Sequence, residues 1–160
     1  MTGRTAAVIT VSDRVSRGEA EDKGGRLAVD LLTRAGWDVA RRETIPDEVD
    51  EISRVVVSCC ESGCDLVVTT GGTGLSTRDV TPEAVRSVID REVPGLAEAM
   101  RSVTFGRLPQ GMLSRQVAGT LDRSLIVSLP GSTGGVREGL EAVIEALPHA
   151  VDVLQGRPGH

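Results

Sequence analysis

Short apolar runs and helix-spaced apolar stripes alternate along this chain. "AAVITVS", Ala6 to Ser12, is a β-branched run of strand length. In "GGRLAVDLLTRAG", Leu27, Leu31 and Ala35 recur at helical spacing, and Gly36 stands where a C-terminal cap belongs. "WDVARRET" reads as a more polar strand, and from Val49 onward Ile52, Val55, Val56, Cys59 and Cys60 mark a helix. "DLVVTT", Asp65 to Thr70, is another apolar strand. Thr81 and Pro82 then open a helix, with Thr as the cap and Pro in the first turn. "SLIVSLPGS" is a fourth strand, and "VREGLEAVIEALPHAVDVL" is a final helix with a kink expected at Pro148.

This alternation predicts an α/β domain with a largely parallel sheet. No repeat, low-complexity tract or linker interrupts it, so residues 1–160 read as a single domain with a flexible tail from about 156. The pattern also says where to look for function. Open α/β sheets bind ligands beyond the carboxyl ends of their strands, near a topological switch. The segments at those ends are "VSDRVSRGEAEDKGG", "TIPDE", "TTGGTGLSTRD" and "SLPGSTGG", which hold most of the glycines, hydroxyls and unpaired charges.

Chemistry enters with those loops. Glycines after a strand let backbone N–H groups approach a ligand, so Gly71, Gly72, Thr73 and Gly74 form either an anion cradle or merely a tight turn. Neither the P-loop spacing nor the full dinucleotide fingerprint is present. Asp79 bears on that choice, because a carboxylate beside a phosphate cradle repels the ligand unless a cation stands between them. Magnesium takes one or two carboxylates together with phosphate oxygens. The competing reading is a surface pair between Asp79 and Arg78, whose guanidinium could also neutralise phosphate directly. Asp47 and Glu48 in "IPDE" are in the same position: helix-capping residues or metal ligands. Pro130, Gly131 and Ser132 make a second glycine–hydroxyl turn at a helix start, a place where anions bind. Lys23, the only lysine, is open to a surface role or a phosphate contact.

Composition narrows the ligand classes. The chain has 160 residues, with 18 basic and 23 acidic side chains and a net charge of -5. An acidic chain whose only aromatics are Trp37 and Phe105 is a poor candidate for nucleic acid. No apolar run approaches the length of about 18 residues that a membrane span needs. The N-terminus lacks a leader pattern, which makes a complete cytoplasmic protein the expectation. Cys59, Cys60 and Cys64 are an odd cluster with no histidine nearby, and read as small buried hydrophobes rather than a metal site. His149 reads as a packed or surface residue.

Taken in order, "VSDR", "DKGG", "IPDE", "TTGGTG", "RDVTPEAV", "VPGLAEAMR", "MLSRQVAG" and "LIVSLPGS" resemble one family, the MogA-type molybdopterin adenylyltransferases, which include the G domain of gephyrin. The resemblance runs from about Val8 to Leu154. It implies a three-layer α/β sandwich with a mostly parallel sheet, assembled as a homotrimer. It further implies transfer of AMP from Mg-ATP to the terminal phosphate of molybdopterin, with release of pyrophosphate, and contact with other proteins of molybdenum cofactor synthesis. On this resemblance Asp47 and Asp79 are the essential acidic residues and hold Mg²⁺. Ser12, Asp13, Gly71 to Gly74, Ser114, Arg115, Gln116, Pro130, Gly131 and Ser132 contact substrate, and Arg78 joins them through its own charge beside the cradle. Leu75 after GGTG matches the MoaB branch, for which a molybdopterin-binding carrier without transferase activity is the alternative. The intact "IPDE" and "RDVTPEA" favour the MogA branch.

Overall fold

In the computed structural model, which describes residues 3–157, the β-branched run becomes β1 (Thr5–Val11), buried along nearly its whole length. A single helical turn, α1 (Asp13–Ser16), follows, and then α2 (Lys23–Arg34). Gly36, at φ +91°, ends α2 in the left-handed region as the cap expectation requires. The buried stripe of α2 is Gly24, Gly25, Ala28, Leu31 and Leu32. The stripe expected from the sequence is therefore offset: Leu27 is only partly buried and Ala35 is exposed.

The chain continues through β2 (Asp38–Ile45), α3 (Val49–Glu61), β3 (Leu66–Thr70) and α4 (Thr81–Val88). Beyond α4 come the two-residue β4 (Arg91–Glu92), α5 (Pro94–Arg107), a 3₁₀ turn at Pro109–Leu113, and β5 (Ala118–Leu121). The hydrophobic pattern assigns none of these four elements. Their signals are weak for physical reasons: α5 buries only Ala97 and Met100, and the strands are two and four residues long. The last elements are β6 (Ser124–Leu129), α6 (Thr133–Val143) and α7 (Leu147–Leu154). The single final helix is thus two helices. The break precedes Pro148, which opens α7, where its missing N–H costs nothing. Of the expected tail, Arg157 turns back to Asp152, and 158–160 lie outside the described residues.

The six strands form one sheet in the order β2-β1-β3-β6-β5-β4. β2, β1, β3 and β6 are parallel, and β5 runs antiparallel to both β6 and β4. Helices cover both faces. Val8, Leu66, Val127 and Leu129 pack with Leu32, Met100, Val136 and Leu140 on one side. Ile9, Val67 and Ile126 pack with Ile52, Val55, Val56 and Val85 on the other. This is the expected three-layer α/β sandwich.

The connection order places the site. The chain leaves β1 to one side, to form β2, and returns across it to form β3 on the other side. The carboxyl ends of β1 and β3 therefore flank the switch point, where loops diverge and leave a crevice. β5 runs the opposite way to β6, so the segment entering β5, Ser114 to Gln116, arrives at that same edge.

Candidate active site

Two adjoining clefts open at this edge. The first, of about 580 Å³, is lined by Thr10, Ser12, Asp22, Lys23, Asp47 and Asp79 together with Gly71, Gly72, Gly131 and Ser132. The second, also about 580 Å³, shares Gly72, Asp79, Gly131 and Ser132 and adds Thr73, Gly74, Leu75, Leu113, Ser114 and Pro130. The glycine turns after β3 and β6 form the wall between them.

The first turn exists because two glycines sit in the left-handed region, Gly71 at φ +100° and Gly72 at φ +69°. Gly71 donates its N–H to Leu129 O at 3.0 Å, which ties the turn to the end of β6. Thr81 closes it from below, donating Oγ1 to Gly71 O at 3.0 Å and N to Gly72 O at 3.1 Å. Thr81 is therefore a brace for the turn rather than a side-chain helix cap, and α4 starts after Val80 with no capping side chain. Among the described residues, the N–H groups of Gly72, Thr73, Gly74, Gly131 and Ser132 find no partner within the protein. Unpaired amides gathered around a crevice are the makings of an anion cradle.

Asp13 and Asp47 clasp each other through backbone and side chain. Asp13 N donates to Asp47 Oδ2 at 2.9 Å, and Asp47 N donates to Asp13 Oδ1 at 3.0 Å. Arg78 closes on this pair, with Nε to Asp13 Oδ2 at 3.0 Å and Nη2 to Asp13 Oδ1 at 3.1 Å and to Glu48 Oε1 at 3.0 Å. The surface pair between Arg78 and Asp79 considered from the sequence is not what forms. Asp79 instead turns inward, where its Oδ2 accepts the Ser76 N–H at 2.9 Å. Asp79 Oδ1 and Asp47 Oδ1 make no hydrogen bond among the described residues, and both residues line the first cleft.

The rest of the expected site sorts by position. Ser12 caps α1, accepting from Val15 N, and Ser132 caps α6, accepting from Gly135 N. Ser114 reaches the second cleft and hydrogen-bonds Thr73 Oγ1 at 3.3 Å. Arg115 stands behind the glycine loop, with Nε on Gly74 O at 2.8 Å and Nη2 on Asp79 O at 2.7 Å. Gln116 is buried beneath, beside Ser128 O and Met100, and lines neither cleft. Sequence reasoning misses Asp22. It caps α2 through Gly25 N at 2.9 Å, accepts from Thr10 Oγ1 at 2.9 Å and pairs with Arg42 at 2.9 Å. The D-x-x-G spacing of a helix cap in "DKGG" is the available signal.

Burial pushes the Asp47 carboxyl up from its ordinary value; the Asp13 N–H opposes this, and the charges of Asp13 and Asp79 add to it. The hydrogen bonds from Arg78 and then from Asp47 N hold Asp13 below its ordinary value. The two acids have opposite signs in stability. The Asp13 contribution is present above the ordinary carboxylate range and is lost on acidification through its lowered value. The Asp47 contribution is present below that range and is lost as pH rises through its raised value, so ionised Asp47 opposes folding. Asp47→Asn, which keeps an acceptor for Asp13 N, is expected to match or exceed the parent's thermal midpoint at about pH 7, with the difference shrinking toward about pH 4. A lower midpoint at neutral pH, read by calorimetry, would mean that the carboxylate's bond to Asp13 outweighs its burial.

The cysteines take no part. Cys59 and Cys64 are buried and Cys60 partly so, and desolvation raises all three thiols, Cys59 to about 12. His149 is an exposed residue of α7. No described helix is long and apolar enough to cross a membrane.

The sequence family described as a probable molybdopterin binding domain matches residues 7–149. The chain is 42% identical over 152 residues to a molybdopterin adenylyltransferase of Helicobacter pylori strain J99, covering 93% of this chain and 86% of that protein. The crystal structure of a molybdopterin biosynthesis enzyme, MoaB, from Thermus thermophilus matches with a TM-score of 0.91 at 46% identity, over 98% of this chain and 99% of that one. The molybdopterin biosynthesis Mog protein from Mycobacterium ulcerans matches with a TM-score of 0.92 at 35% identity, over 98% and 100%.

Proposed function

The chain belongs to the family of probable molybdopterin binding domains, and from that premise we propose that it is a molybdopterin adenylyltransferase of molybdenum cofactor biosynthesis. The observation that carries the reading is the pair Asp47 and Asp79, two carboxylates with free oxygens in one cleft walled by unpaired backbone amides. The relatives named molybdopterin adenylyltransferase support it.

In the reaction, a phosphate oxygen of molybdopterin forms a bond to the α-phosphorus of ATP. The bond from that phosphorus to the bridging oxygen breaks, and pyrophosphate leaves. Two anions must approach, so catalysis rests on positioning and charge stabilisation rather than on a nucleophilic side chain. Amides of Gly72 to Gly74 and of the Gly131 turn hold phosphate oxygens. Arg115 keeps the first turn in shape, and Arg78, spent on Asp13 and Glu48, makes no ion pair with Asp47 or Asp79.

That donor set fits Mg²⁺. It offers hard oxygens only, and no group of three or more His, Cys, Asp or Glu among the described residues would hold an ion alone. Two carboxylates completed by phosphate oxygens is the pattern this ion prefers. Asp47 and Asp79 would hold it, and when bound it supplies positive charge to the phosphates.

A molybdopterin carrier is the competing reading, raised by Leu75 after the GGTG turn. Two carboxylates without an ion pair count against it, because they repel an anion that is merely to be held. The deciding experiment supplies molybdopterin, ATP and magnesium. Adenylylated molybdopterin and pyrophosphate are expected in equal amounts, and only with all three present. Light scattering on the same preparation is expected to give the mass of a homotrimer. Binding without pyrophosphate release would establish the carrier, and release of ADP would mean attack at the γ-phosphate.

A further inference from the structure

We propose that Lys23 is a phosphate-contacting residue at the mouth of the first cleft. Of the 18 basic residues, 17 are arginines and Lys23 is the one lysine. It lines the first cleft, where the other charged residues, Glu21, Asp22, Asp47 and Asp79, are all acidic. Asp22 is taken by Thr10, Gly25 N and Arg42, and Asp13 and Glu48 by Arg78, whereas Glu21, Asp47 and Asp79 share the cleft without an ion pair among the described residues. Among the described residues Lys23 has no carboxylate within ion-pair distance.

Its place in the fold is unfavourable without a ligand. Lys23 is the first residue of α2, where a cation opposes the helix dipole. The position is also fixed. A Cβ on Gly24 would lie 3.0 Å from Gly131 O, and one on Gly25 would lie 2.2 Å from Thr10 Oγ1, so α2 starts pressed against both β1 and the second glycine turn. A mobile ammonium on a rigid base, with no partner of its own in a cleft rimmed by amides, is suited to an incoming phosphate. That phosphate could belong to the nucleotide's polyphosphate or to the pterin's monoester. The inference rests on the proposed function only in taking the cleft to be a phosphate site.

A single lysine makes the test direct. Amine-reactive labelling of the whole protein, with peptide mapping to separate the N-terminal amine, reports on one side chain. Labelling of Lys23 is expected to slow at least tenfold with Mg-ATP or Mg-pyrophosphate, and not with adenosine, if the site takes the polyphosphate. Protection by molybdopterin alone would assign the pterin's phosphate instead. Lys23→Met is expected to raise the KM of the protected ligand about tenfold or more while the thermal midpoint holds or rises, and Lys23→Arg to restore part of the affinity. No protection by any of these ligands would overturn the assignment, as would a lowered midpoint in Lys23→Met that Lys23→Arg repairs together with KM. Protection without pyrophosphate release leaves the lysine assigned and removes the transferase reading, so the two fail separately.

Discussion

Asp79→Asn is expected to lower turnover about a hundredfold or more, the scale on which loss of one preorganised electrostatic group is felt. The substitution keeps the size of the side chain and an oxygen to accept the Ser76 N–H, so the loop should hold its shape. What disappears is the negative charge shared with Asp47 across the cleft. Molybdopterin binding should survive or tighten, since an anionic ligand loses a repulsive neighbour. A structural role for Asp79 predicts the reverse, a destabilised protein of near-normal activity. The geometry speaks against that outcome, because the neighbouring Arg78 is bound to Asp13 and Glu48. Isothermal titration with molybdopterin and a single-turnover assay on one preparation separate the cases, and retained turnover would sink the metal assignment.

Gly71→Ala is expected to cost about 3 kcal/mol or more in stability, equivalent to a fall of roughly 6–12 °C in the thermal midpoint for a chain of this length. Two effects add. At φ +100° an L side chain is strained, and its Cβ would lie 2.2 Å from the carbonyl oxygen of Val11. That oxygen belongs to the backbone at the end of β1 and cannot swing aside as a side chain would. Relief requires the ends of β1 and β3 to separate, which also disrupts the first cleft. Gly95→Ala is the control: a Cβ there meets nothing within 4 Å, and the site lies in the first turn of α5. It should be neutral or stabilise by up to about 1 kcal/mol. Equal midpoints for the two variants would remove the conformational argument for Gly71.

The alternation of β1, α2, β2, α3, β3, α4 and β6 is legible in the residues alone, because strands covered on both faces read as continuous apolar runs and helices covered on one face keep apolar positions at a period of 3.6 residues. So are the glycine turns and the acids Asp47 and Asp79 as candidates, since loops at strand ends gather at one edge of a parallel sheet. Periodicity does not reveal β4, α5 and β5, whose short or weakly buried segments leave little pattern. Nor does it choose partners. Arg78 and Asp79 are neighbours in the chain, yet Arg78 reaches Asp13, 65 residues away, and Asp79 turns to Ser76. Asp13 and Asp47 lie 34 residues apart and clasp because β1 and β2 pair in parallel and end together. The placement of Arg115 behind the loop, and of Lys23 without a carboxylate, is settled in the same way. Periodicity records which face of an element avoids water, whereas strand order decides which loops meet, and only that meeting fixes which charges pair and which stay free for a ligand.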